Sequence, residues 1–154
     1  MPIHAIAGHL VIIFAPITAL LALVYGAAPR SRSGLRWPLL IGSIVTAGLV
    51  VWTGEVGGEL LDRVTTNGSA TEVSAAAAHA KGSDNLSVAV FVLLTSVLIS
   101  TSRLLRPGRT GTAARITSVL LALSAVAVLV TTWTTLISAL AAVWSSHPSW
   151  TGRP

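Results

Sequence analysis

The sequence predicts an all-α membrane protein: a four-transmembrane-helix bundle with a short extra helix in the outer loop between helices two and three. Three observations carry this. First, 53% of the 154 residues are hydrophobic and only 10% are charged, whereas a soluble domain carries about 25% charged residues. So few charges cannot cover a water-facing surface of this size, and the mean hydropathy is +0.79. Second, four apolar runs, 9–28, 37–58, 86–105 and 114–144, each reach the length of about 20 residues that spans a bilayer. Third, the charges sort by loop, as they do when positive charge orients a membrane protein.

The first run carries Pro16, which removes one backbone hydrogen bond and predicts a kink. No basic region precedes this run, and Tyr25-Gly-Ala-Ala28 is only weakly similar to a cleavage site, so it reads as a retained helix. The connection to the second run holds Arg30, Arg32 and Arg36 and no acid. The connection between the third and fourth runs holds Arg103, Arg106, Arg109 and Arg115, again without an acid. Both are therefore expected on the cytoplasmic side of the cell (inner) membrane. The five acids, Glu55, Glu59, Asp62, Glu72 and Asp84, lie in or beside the long connection between the second and third runs. That connection and both termini are expected outside. Within it, Ser69-Ala-Thr-Glu72 has capping-box spacing and 73–80 is rich in alanine, which predicts a helix over 70–81. Gly82-Ser-Asp-Asn85 is expected to interrupt it or bend it into helix three. The fourth run exceeds one span, so it should tilt or project. Trp37, Trp52, Trp133, Trp144 and Trp150 fall mostly near run ends, where interfacial anchors sit.

Several function classes drop out. The net charge of +5 lies in loop arginines, not on a basic face with stacking aromatics, so nucleic acid is not the partner. There is no cysteine, which excludes disulfides, thiolate sites and iron–sulfur clusters. No phosphate loop, Gly-x-Ser-x-Gly turn or His-Glu-x-x-His motif is present, so hydrolase and kinase chemistry are set aside. An electron-transfer or accessory protein fits better than an enzyme.

What chemistry remains rests on histidines and acids at the outer end of the bundle. His9 opens the first run; it is an interfacial histidine or, given the cost of a polar group at that depth, an axial haem or metal ligand. Pro16, seven residues on, shares its face. His4 precedes His9 by five residues, which turns the two rings apart by roughly 140° in an unbroken helix. They converge only if the chain before Gly8 is irregular; otherwise His4 is a surface residue. His79 ends the alanine run, and it either pairs with His9 across the bundle or is exposed near a helix C-terminus. Glu55, Glu59 and Asp62 share one helical face. Glu55 sits at the membrane boundary and is a site candidate, while the other two read as a solvated collar. Gly54, Gly57 and Gly58 thin this part of helix two for close approach, as Gly8 does in helix one. His147, in a Ser-Ser-His-Pro-Ser-Trp loop, reads as structural, and the hydroxyls of 131–135 can bond their own helix.

The spacing of His4 and His9, the run from Pro16 to Leu21 (Pro-Ile-x-Ala-Leu-Leu), Thr53-Gly54 and His79 together resemble the bacterial membrane proteins grouped as domain of unknown function 2231. The likeness covers helices one to three. Family members usually carry Pro after the first histidine and Phe-Pro after the second, where this chain has Ala5 and Leu10-Val11. The resemblance implies a four-helix membrane fold and redox work, since relatives are found fused to Rieske-type domains.

Three readings follow. The leading one is b-type haem held by His9 and His79, with His4 as substitute for either and Glu55 as a proton-linked neighbour. Gly8, Gly54 and 75–78 would line its groove, and a redox protein or quinone would be its partner. The second is a zinc, copper or iron ion on His4, His9, His79 and Glu55. The third is a non-catalytic subunit of a membrane complex or homo-oligomer.

Overall fold

The computed structural model describes residues 3–105, 109 and 111–144. All regular structure among them is helical. In chain order these are α1 (Ile3–Ala27), a 3-10 turn (Pro29–Ser31), α2 (Arg32–Asn67), α3 (Ala70–Ile99), a π-helical turn (Ser100–Leu104) and α4 (Thr112–Trp144). Each helix packs on its chain neighbours and α4 closes against α1, while α1 and α3 barely touch. The four therefore form a ring-shaped antiparallel bundle.

Local chemistry sets the turns. Ala28 is extended and Pro29 opens the 3-10 turn, where its missing N–H costs nothing. Between α2 and α3 the Gly68 N–H bonds the Val64 carbonyl at 2.7 Å. A Cβ at Gly68 would lie 2.6 Å from that same oxygen, so only glycine turns here. Ser69 then opens α3 with a complete capping box: its Oγ accepts from Glu72 N, and Glu72 Oε2 accepts from Ser69 N at 2.8 Å.

The core is made of small and aliphatic side chains at helical spacing. Ala7, Val11, Ala15, Ala19 and Ala22 form the inner stripe of α1, facing Leu39, Ala47 and Val50 of α2, Leu86, Val90, Leu93 and Val97 of α3, and Leu121, Ala125 and Val128 of α4. Buried hydroxyls lie among them. Thr46 donates to Gly42 O at 2.7 Å, so it accepts the 3.0 Å bond from Thr18 across α1 and α2. The outer surface is apolar too: Val88 is 65% exposed, Trp133 63% and Leu123 62%. Water does not tolerate apolar surface on that scale, whereas hydrocarbon requires it. With four helices long and apolar enough to cross a membrane, these are the features of a multi-pass membrane protein.

At the end of the bundle formed by the α1–α2 turn and the start of α4, two buried polar residues tie the helices together. Tyr25, fully buried, donates its hydroxyl to Leu105 O at 2.9 Å. Arg32 is 4% exposed; it donates to Tyr25 O and Gly26 O at 3.2 Å each, and to Arg109 O and Ser118 Oγ at 3.4 Å each. Tyr25 and Gly26 stand in the last turn of α1, where carbonyls lack helical partners, so Arg32 caps α1 while joining it to α2 and α4.

The backbone bears on three of the sequence readings. No separate short helix stands between α2 and α3 among the described residues; the capped segment is the first part of α3, which runs unbroken through Gly82 to Ile99. The reason is tertiary: Thr135 Oγ1 donates to Gly82 O at 2.9 Å, and α3 lies so close to α4 that a Cβ at Gly82 would be 3.2 Å from Ser138 Oγ. Helix propensity is a weak prior against such packing. Second, α2 continues well past the apolar run, to Asn67. Third, α1 is regular from Ile3, so the chain before Gly8 is not irregular.

Candidate functional site

At the other end of the bundle, four residues lie at one level, one per helix: His4 of α1, Gly57 of α2, His79 of α3 and Ser138 of α4. His4 is 21 residues up α1 from Tyr25, roughly 30 Å along the helix, which is one hydrocarbon thickness.

The rings of His4 and His79 meet edge to face, with centroids 6.2 Å apart and planes at 79°. His4 belongs to the stripe of Ala7, Val11 and Ala15, so α1 turns it inward. It fits because Gly57 has no side chain: a Cβ there would be 2.9 Å from His4 Cε1 and 3.1 Å from Nδ1. His4 Nδ1 is buried and has no hydrogen-bond partner among the described residues. An orphaned buried nitrogen costs about 1–3 kcal/mol and calls for an occupant such as water or an ion.

His79 is partly buried, and its Nδ1 lies 3.4 Å from Ser138 Oγ. The one hydroxyl proton of Ser138 goes to Thr135 O at 2.9 Å. Ser138 Oγ therefore offers His79 a lone pair, and in the tautomer that uses it His79 Nδ1 carries the proton and Nε2 the lone pair. Beneath the pair, Val11, Val50, Thr53, Ser83, Leu86 and Ser87 enclose about 10 Å³, room for one water at most.

The other predicted residues stand apart. His9 is exposed on the far side of α1, its Nδ1–H donating to Ala5 O at 2.6 Å. Because α1 is regular, His4 and His9 diverge, and it is His4 rather than His9 that meets His79. Glu55, Glu59 and Asp62 are exposed. Glu55 is two residues from Gly57, roughly 200° around α2, and so points away from His4. Gly8, Gly54 and Gly58 have no neighbour where a Cβ would stand. Of the alanines at 75–78, the first two are partly buried and the last two exposed. His147 lies outside the described residues. Among the described residues, no three of His, Cys, Asp or Glu gather as a metal-binding group.

Compared with family models, curated proteins and solved structures, the chain has no match in any of the three. The site must speak through its own geometry. Two of its members, Thr135 and Ser138, were not singled out as site residues from sequence. Their signal was there: the buried polar positions Ser124, Thr132 and Thr135 repeat along the inner face of α4, and Ser138 lies one turn further. Two imidazoles from different helices, one of them with an unsatisfied nitrogen, can bind a metal or share a proton through water.

Proposed function

We propose that this chain is a multi-pass protein of the cell membrane that holds a transition-metal ion between His4 and His79 on the outer side. The observation that carries this is the convergence of the two rings, with a buried His4 nitrogen left unpartnered. Metal–imidazole bonds of about 2.0–2.1 Å put each ring centre about 3 Å from the ion. Two ligating rings then lie about 5 Å apart at a tetrahedral angle and about 6 Å apart when opposed. The observed 6.2 Å falls in reach of small ring rotations. An all-imidazole set without thiolate suits zinc, copper or iron. Two protein ligands leave positions open, as sites that exchange ions or electrons need and closed structural sites do not. The likeness to domain of unknown function 2231, and the redox work it implies, belong to the same proposal. So does the orientation: arginine loops inside, both termini and the histidines outside.

A second reading, b-type haem, is favoured by the same separation, since two axial imidazoles on one iron also face each other across about 6 Å. A porphyrin needs several hundred Å³, however, and the two rings stand only 6.2 Å apart with Gly57 packed against His4. The helices would have to part for it, and an ion asks for no such movement.

The test is metal analysis and an oxidised-minus-reduced visible spectrum of protein purified in detergent after expression with haem and metals supplied. We expect near-stoichiometric metal in the wild type and in His9→Ala, loss of it in His4→Ala and His79→Ala, and no alpha band. An alpha band that vanishes in the same two variants would replace the ion by haem. Folded protein with neither metal nor band would leave the histidines a packing role in an accessory subunit.

A further inference from the structure

The arginine end of the bundle holds positive charge that nothing within the chain neutralises. Residues 1–54 and 85–154 contain no Asp or Glu, so no carboxylate of this chain is available there. Arg32 spends four of its donors on neutral carbonyls and a hydroxyl, which leaves its charge unneutralised. One turn further, Arg36 is partly buried, and its Nε is covered yet has no hydrogen-bond partner among the described residues. Its guanidinium lies over the Trp37 ring, 5.6 Å from the centroid. Trp37 is 61% exposed, and below it on the same face Ile41 is 57% exposed, Ile44 53% and Val45 41%.

We infer that Arg36 and Trp37 form a binding site for a phosphate group, supplied by an anionic phospholipid of the adjoining leaflet, with Arg30 and Arg32 adding to the local field. The guanidinium fork matches phosphate oxygens through its terminal N–H groups, and the unneutralised charge is met at the same time. The indole seats at headgroup level, and the strip of Ile41, Ile44 and Val45 continues downward where the acyl chains lie. A basic site between or beside helices at the cytoplasmic level is the form that headgroup recognition takes in membranes. The exposed apolar strip points to a lipid rather than to free phosphate, which has no use for it.

The test uses the whole protein in detergent, with phosphatidylglycerol, phosphatidylcholine or inorganic phosphate added. Native mass spectrometry counts bound lipid and thermal unfolding reports the gain. We expect phosphatidylglycerol to bind several-fold tighter than phosphatidylcholine. Arg36→Gln should weaken the phosphatidylglycerol interaction roughly fivefold, the value of about one interfacial arginine, and Arg63→Gln at the far end should leave it unchanged. Inorganic phosphate alone stabilising the wild type as much as phosphatidylglycerol would support the phosphate site and assign it to the free ion. Equal binding of the two lipids by the wild type overturns the proposal without any variant. So does equal loss in Arg36→Gln and Arg63→Gln. If Arg36→Gln does not fold, Trp37→Leu takes its place, with the same expected loss.

Discussion

Gly57 shows how one residue decides whether the two histidines meet. Alanine at 57 would place its methyl carbon 2.9 Å from His4 Cε1, so the ring would swing away from α2 and from its register with His79. Replacing glycine within a helix gains about 0.5–1 kcal/mol of backbone preference, which offsets part of the disturbance, so Gly57→Ala should fold. If the proposed metal site is right, its metal affinity should fall at least tenfold, the scale of effect when a ligand loses the contact that orients it. Gly54→Ala and Gly58→Ala meet open space and should each stabilise the protein by about 0.5–1 kcal/mol without touching the site. Thermal unfolding and zinc titration of the three variants separate the two effects. Equal metal affinity in all three would show that Gly57 does not position His4. The glycine cluster was legible as a place of close approach, but not which glycine is used. That depended on the rotation of α1, and a histidine count cannot supply it: His4 and His9 are equally apolar-flanked, and only the stripe through Ala7, Val11 and Ala15 reveals which one turns inward.

The helices themselves illustrate the difference between a membrane boundary and a helix boundary. Hydropathy ended the second run near residue 58 and opened the third at 86, and these limits mark where hydrocarbon is expected. The backbone has no reason to stop there, because polar residues sustain helical hydrogen bonds in water as well. Thus α2 and α3 extend beyond the apolar runs as a paired hairpin, turned by Gly68 and capped by Ser69. The cap was readable because its chemistry is local: a hydroxyl and a carboxylate three residues apart. The continuity at Gly82 was not, since it rests on Thr135 more than fifty residues away. Ser69→Ala should therefore cost about 1 kcal/mol, with faster amide exchange in the first turns of α3. Exchange beyond Gly82 should stay slow, because the bond from Thr135 anchors the helix there. Accelerated exchange extending past Gly82 would mean that the capped segment and the rest of α3 unfold as one unit.

Over the whole molecule, charge separation is the simplest feature and the one with the largest consequence. The acids sit in the extended hairpin and the loop arginines at the opposite end, so the bundle is polar along its axis. Arginine-rich loops resist translocation, and the proposed orientation, with the histidine site outside, rests on that. In that orientation the proposed metal would come from the envelope rather than the cytoplasm, and the proposed lipid site would face the inner leaflet. The chain has no cysteine, so any introduced one is a unique reporter. Thr66→Cys, exposed near the end of α2, and Ser33→Cys, exposed at the start of α2, lie at opposite ends. Membrane-impermeant maleimide added to cells with a permeable outer envelope should modify Thr66→Cys at once, and Ser33→Cys only after the membrane is opened. The reverse pattern would put His4 and His79 in the cytoplasm and recast the site as one drawing on cytoplasmic metal. Equal labelling of both positions would mean insertion in two orientations, in which case seven loop arginines do not suffice to hold the bundle one way round.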